Sequence, residues 1–150
     1  MRQRVVGDLA SGELPTDCAA VNVSGAELGD PSFTDRVLDE LEQRGADPRR
    51  LTVEVTETAL ARDLARASES LLRLRAAGLR IAIDDFGTGH ASLEYLVSLP
   101  CDIVKIDRRF VAGLGTDERC TAVVQGVIGM AHGLGLSVVA EGVETADQAS

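Results

Sequence analysis

The chain has 150 residues and a mass of 15.8 kDa, which fits one domain. Its 45% hydrophobic and 26% charged residues suit a globular protein with a buried core and exclude disorder throughout. Fifteen Lys and Arg against 24 Asp and Glu leave a net charge of −9, which excludes a broad basic face for a nucleic acid polymer.

Ala19 to Val23 reads as a first strand, ended by Ser24-Gly25. Phe33, Val37 and Leu41 then recur at i, i+4 and i+8 on one helix face, and Gly45 supplies the stop. Leu51 to Thr56 is the second strand. Leu64, Ala67, Leu71 and Leu74 mark a second helix, closed by Gly78. Leu79 to Ile83 is the third strand, Asp85 to Gly89 a glycine-punctuated loop, and Ala91 to Ser98 a short helix broken by Pro100. Cys101 to Ile106 is the fourth strand. Thr116 is placed to cap a helix over Asp117 to His132, with Cys120, Val123, Val124, Val127, Ile128 and Ala131 on its apolar side. Leu136 to Ala140 is the fifth strand, and a further helix is expected from Glu144. Val5, Val6 and Leu9 could end a helix leading into the first strand.

Strands alternating with helices predict an α/β fold with a parallel sheet. The near-continuous apolar runs predict strands buried on both faces. No uncharged apolar run approaches the roughly 20 residues of a membrane span, and Val5-Val6-Gly7-Asp8 after the basic Met1-Arg2-Gln3-Arg4 is not a secretory signal. Cys18, Cys101 and Cys120 lack metal-site spacing and read as reduced packing thiols of a cytoplasmic protein. His90 and His132 read as a loop residue and a residue near a helix C-terminus.

Polar side chains recur in or just after all five strands: Asn22, Glu54, Asp84 with Asp85, Lys105 with Asp107, and Glu141 with Glu144. A parallel sheet brings the C-terminal ends of its strands to one edge, so these residues are expected to converge. Such carboxylates and an amide oxygen are hard ligands suited to Mg²⁺ or Mn²⁺. Two such ions can activate water and clamp a phosphoryl group, and a lysine among them can orient that water or neutralise developing charge. Taken singly, each residue also has a structural reading: Glu54 as an edge position, Asp84-Asp85 as a turn signal, Lys105 as a paired lysine.

The segments Val21-Asn22-Val23-Ser24, Glu54-Val55-Thr56-Glu57, Asp84-Asp85-Phe86-Gly87-Thr88-Gly89, Lys105-Ile106-Asp107 and Ala140-Glu141-Gly142-Val143-Glu144-Thr145 together resemble the signatures of the EAL-domain family, in its order, over about residues 19–150. The resemblance implies a TIM-like (β/α) barrel of bacterial signal transduction. Its reaction is the Mg²⁺- or Mn²⁺-dependent hydrolysis of cyclic di-GMP to linear pGpG. It further implies metal ligation by Asn22, Glu54 and Asp84, with Asp85 and Asp107 at a second metal and Lys105 and Glu141 at the attacking water. Glu57 would anchor the loop of Phe86, Gly87, Thr88 and Gly89, which in the family couples metal binding to dimerisation. His90-Ala91-Ser92 stands where family members often have Tyr-Ser-Ser.

The family's Glu-Ala-Leu strand, with its metal-binding Glu and a nearby substrate-holding Arg, has only Gly12-Glu13-Leu14 as an echo here, and no final Gln-Gly strand is seen. The resemblance therefore assigns residues 1–150 to a truncated domain holding the third to seventh of eight strands, with an open, apolar inner face. Weak or absent hydrolysis is expected, as is self-association or completion of the barrel by another chain. A catalytically inactive EAL-like interaction module and an unrelated Mg²⁺-dependent phosphohydrolase barrel are the alternatives.

Overall fold

The computed structural model describes residues 18–61, 63–88 and 93–149. The motif Val5, Val6 and Leu9 and the loop residues Gly89 to Ser92 lie outside them. The strands are β1 (Ala19–Asn22), β2 (Leu51–Thr56), β3 (Arg80–Phe86), β4 (Ile103–Ile106) and β5 (Ser137–Ala140), all parallel and ordered β1-β2-β3-β4-β5 in one sheet. The helices are α1 (Gly25–Leu28), α2 (Phe33–Arg44), α3 (Glu57–Leu60), α4 (Leu64–Ala76), α5 (Leu93–Ser98), α6 (Arg108–Val111) and α7 (Glu118–Gly133).

Sequential order of parallel strands, whose crossovers share one hand as a rule, puts the connecting helices on one face, as in an arc of a (β/α) barrel. The outward strand residues Val53, Val55, Ile81, Ile83, Val104 and Ile106 are buried in one cluster with helix residues such as Leu41, Leu71, Leu74, Val124 and Ala131. On the other face, register aligns Asn22, Glu54, Ala82, Ile103 and Ser137 in one row. That inner face is not an apolar surface: its rows mix polar with small or apolar side chains. Nor are all strands buried on both faces, for Val139 on β5 is 44% exposed. Within the described residues, β1 and β5 each pair on one side only.

Other expectations are corrected locally. The third strand runs on through Asp84, Asp85 and Phe86 because Phe86 still pairs with Ile106. The fourth begins at Ile103, after a turn in which Cys101 donates its N–H to Leu99. Asp117, not Thr116, caps α7: its carboxylate accepts the backbone N–H of Arg119 at 2.8 Å. Val123 is exposed, whereas Val124, Val127 and Ala131 are buried. Residues from Glu144 form no helix, because Gln148 Oε1 accepts the backbone N–H groups of Glu144 and Thr145 and ties them into a turn. Cys101 is buried, but Cys18 is exposed and is not a packing thiol. His132 lies in the last turn of α7.

The short helices α1 and α3, unseen in the apolar periodicity, set the strand ends. Thr56 Oγ1 accepts the N–H of Ala59 and starts α3 directly from β2. Gly25 lies so close to α3 that a Cβ there would stand 2.5 Å from the Ala59 carbonyl oxygen. Backbone atoms cannot swing aside, so only glycine fits. Gly25→Ala is expected to lower unfolding stability by about 1–3 kcal/mol, checked by urea denaturation.

Candidate active site

The site grows from the register. Asn22 and Glu54 are directly paired across β1 and β2, and Glu54 and Asp84 point to the same inner face two residues apart in register. Lys105 occupies that face on β4. Its Nζ donates to Glu54 Oε1 at 3.0 Å, Asp84 Oδ1 at 2.9 Å and Glu141 Oε1 at 2.6 Å. One ammonium thus bridges carboxylates carried by β2, β3 and the residue after β5. Burial pushes Lys105 toward neutrality, but its hydrogen bonds to Glu141, Asp84 and Glu54 outweigh it and raise the pKa.

Adjacent strand residues ordinarily face opposite ways, so Asp84 and Asp85 should not share a site. A bulge resolves this. Ile83 pairs with Val104 and Phe86 with Ile106, leaving Asp84 and Asp85 opposite the single residue Lys105. Asp85 adopts a left-handed φ of 54°, which a short polar residue tolerates better than a branched one. Carboxylate oxygens of Asp84, Asp85 and Glu141 consequently lie within 4.8 Å of one another. Burial raises the Asp85 pKa, and the neighbouring carboxylates of Asp84, Asp107 and Glu141 raise it further. Asp107 is held below the usual range by the N–H of Arg109 at 2.7 Å, with the Arg109 guanidinium adding to this against its burial.

Glu57 is buried at the start of α3, and its Oε1 accepts the N–H of Gly87 at 2.8 Å. Gly87 has φ 93°, and a Cβ there would press on the Phe110 ring at 3.0 Å. Phe86 is buried beneath, and Thr88 donates its N–H back to the Asp85 carbonyl. Gly89 lies outside the described residues. Glu144, grouped with Glu141 in the sequence, is exposed in the terminal turn and does not join the acidic grouping of the described residues.

Glu54, Asp84 and Glu141 thus bind Lys105, Asp85 adjoins Asp84, Glu141 and Asp107, and Arg109 pairs with Asp107. The donors are all oxygens, and their negative charge exceeds what one ammonium offsets. Such a set fits hard divalent cations.

The family model for the EAL domain matches residues 1–150. The chain belongs to the EAL domain family. This match extends beyond the motif-bearing 19–150. The EAL domain of Mycobacterium smegmatis DcpA superposes with a TM-score of 0.90 at 34% identity, over 99% of this chain and 68% of that one. A manganese and cyclic di-GMP complex of Klebsiella pneumoniae BlrP1 gives a TM-score of 0.88 at 30% identity, over 98% of this chain and 38% of that one. The cyclic di-GMP phosphodiesterase NbdA of Pseudomonas aeruginosa is 45% identical over 129 residues, 86% of this chain and 16% of NbdA. The EAL chain described here spans less than a quarter of the curated relatives it matches. No helix of the described residues is long and apolar enough to cross a membrane.

Two supports of this EAL site were invisible in the motifs. Arg109 orients Asp107, and the left-handed Asp85 re-aims its own carboxylate; the second is signalled only by consecutive aspartates before Phe86-Gly87. Because an ionised Asp85 is repelled by three neighbours, Asp85→Asn is expected to raise the metal-free denaturation midpoint at neutral pH while weakening Mn²⁺ binding. Paired denaturation and Mn²⁺ titrations check both directions.

Proposed function

We propose that this EAL domain acts on cyclic di-GMP in bacterial signal transduction, cleaving one phosphodiester to give linear pGpG. The observation that carries the reading is the Lys105 ammonium bound to Glu54, Asp84 and Glu141 at the C-terminal strand edge. In this reading Asn22, Glu54 and Asp84 hold one divalent cation, and Asp85 and Asp107 serve a second. Bound Mg²⁺ or Mn²⁺ supplies Lewis acidity and charge compensation at the phosphate.

The chain's own groups do the rest. Lys105 donates a hydrogen bond to the oxygen of the attacking water, and Glu141 beside it accepts one of that water's hydrogens. The water oxygen forms a bond to phosphorus as the bond to the 3′-oxygen breaks, and a proton passes to that leaving oxygen. Glu57 keeps the loop from Phe86 to Thr88 seated over Asp85, the route by which this loop couples metal binding to association of two domains.

We assign the five strands to the third to seventh of a TIM-like barrel. Among the described residues β1 and β5 each pair on one side only, and in this reading a second copy or another segment completes the barrel. Without such completion turnover is expected to be slow, since a misplacement of about 1 Å already costs roughly 100-fold. The same one-sided pairing favours a second reading, an interaction module that binds without hydrolysis. A cytoplasmic location, where the dinucleotide messenger is made and used, accompanies either reading.

The test is incubation of the purified chain with cyclic di-GMP and Mn²⁺, with pGpG measured by chromatography. Slow Mn²⁺-dependent turnover that Lys105→Ala lowers by about 100-fold or more is the expected result. Mn²⁺-dependent ligand binding without product would favour the interaction module. Neither binding nor product would overturn both readings.

A further inference from the structure

Of the three carboxylates bound to Lys105, those of Glu54 and Asp84 are carried by strands and that of Glu141 is not, so something other than the ladder must aim it. Its N–H donates to the Ile106 carbonyl at 3.1 Å, the last rung between β5 and β4. The next residue, Gly142, turns away with a left-handed φ of 70°. It does so directly over Arg108, where a Cβ on Gly142 would stand 2.8 Å from the Arg108 Cβ.

That atom cannot retreat. Arg108 opens α6, whose Val111 is fully buried, and the Arg108 carbonyl accepts the N–H of Ala112 at 2.8 Å. Asp107 caps the same turn from the other side. The Gly142 backbone therefore rests on a fixed stop, with Glu141 held between that stop and the rung to Ile106.

We propose that the contact of Gly142 with Arg108 is a positioning device that holds the Glu141 carboxylate against Lys105 and thereby sets the affinity of the acidic edge for divalent cations. The second half rests on the metal reading above; the first does not. Arg108 acts here through its Cβ and backbone, not its charge. A side chain on Gly142 must lift the segment and draw Glu141 from Lys105. Losses of this kind, in groups that orient metal ligands, cost about 10- to 100-fold in affinity.

The experiment compares the chain with Gly142→Ala, Arg108→Gly/Gly142→Ala and Arg108→Ala/Gly142→Ala, each by Mn²⁺ titration and by crystal structure. Gly115→Ala controls for left-handed strain alone, because Gly115 has φ 78° and open space around it. The expected result is Mn²⁺ binding weakened about 10-fold or more in Gly142→Ala, with Glu141 beyond hydrogen-bond reach of Lys105. Arg108→Gly, which removes the Cβ, restores most of both; Arg108→Ala, which keeps it, restores neither; Gly115→Ala changes neither.

A Gly142→Ala structure with Glu141 still on Lys105 overturns the proposal whatever the titration gives. So does a displaced Glu141 with unchanged Mn²⁺ affinity. If the unsubstituted chain binds no Mn²⁺ while Glu141 moves and is rescued as described, the positioning stands and the metal reading of the site falls. If Gly142→Ala yields no folded protein, the Arg108→Gly double variant decides: a folded chain with Glu141 on Lys105 supports the stop, and an unfolded one overturns it.

Discussion

The Lys105 ammonium is the point at which separate parts of this chain meet. Its partners come from β2, β3 and the residue after β5, so the hydrogen-bonded group exists only when three crossovers have brought distant segments into register. With only 14% of its side chain exposed, Lys105 is shielded from solvent well beyond a surface ion pair. Removing one partner from such a group leaves charges facing one another, which costs far more than an exposed pair is worth. The same arrangement leaves negative charge over, because Lys105 and Arg109 together cannot offset five carboxylates. That surplus gives the edge its capacity for cations.

The remainder of the architecture serves this convergence. Sequential parallel strands leave one face for helices and one for the site. The bulge at Asp84 and Asp85 sets two carboxylates opposite a single lysine, where a regular strand would have supplied one. Close approaches hold the loops around it: Gly25 against α3, Gly87 against Phe110 and Gly142 against Arg108. These contacts are steric, so they fix direction without adding charge to an already charged edge. Glu57 is the polar counterpart, tying the backbone of Gly87 to the start of α3.

Much of this was legible in the residues. Apolar runs located all five strands, and the recurrence of polar groups at their ends foretold which residues meet, because strand direction in a parallel sheet leaves little choice. What the runs could not convey was which faces are buried. A strand such as Ser137–Ala140 is apolar in composition yet largely exposed, because among the described residues β5 pairs on one side only and Val139 on its inner face is uncovered. The extension of β3 through Asp85 was hidden for a related reason: consecutive aspartates before glycine look like a turn, and only pairing with β4 keeps them in the sheet. Helices of four residues carry too little periodicity to be read. The close glycine contacts depend on neighbours remote in sequence, which local patterns do not encode. Glu144 shows the converse error, a carboxylate near the right strand end that the turn through Gln148 carries away from the site.

The Lys105 ammonium holds the carboxylates of three segments together. Unfolding Lys105→Met, which keeps the length of the side chain without its charge, beside the unsubstituted chain, with and without Mn²⁺, tests that role. The variant is expected to be less stable in the absence of metal, and added Mn²⁺ to narrow the gap by supplying the missing positive charge. A metal-free Lys105→Met at least as stable as the unsubstituted chain would contradict it.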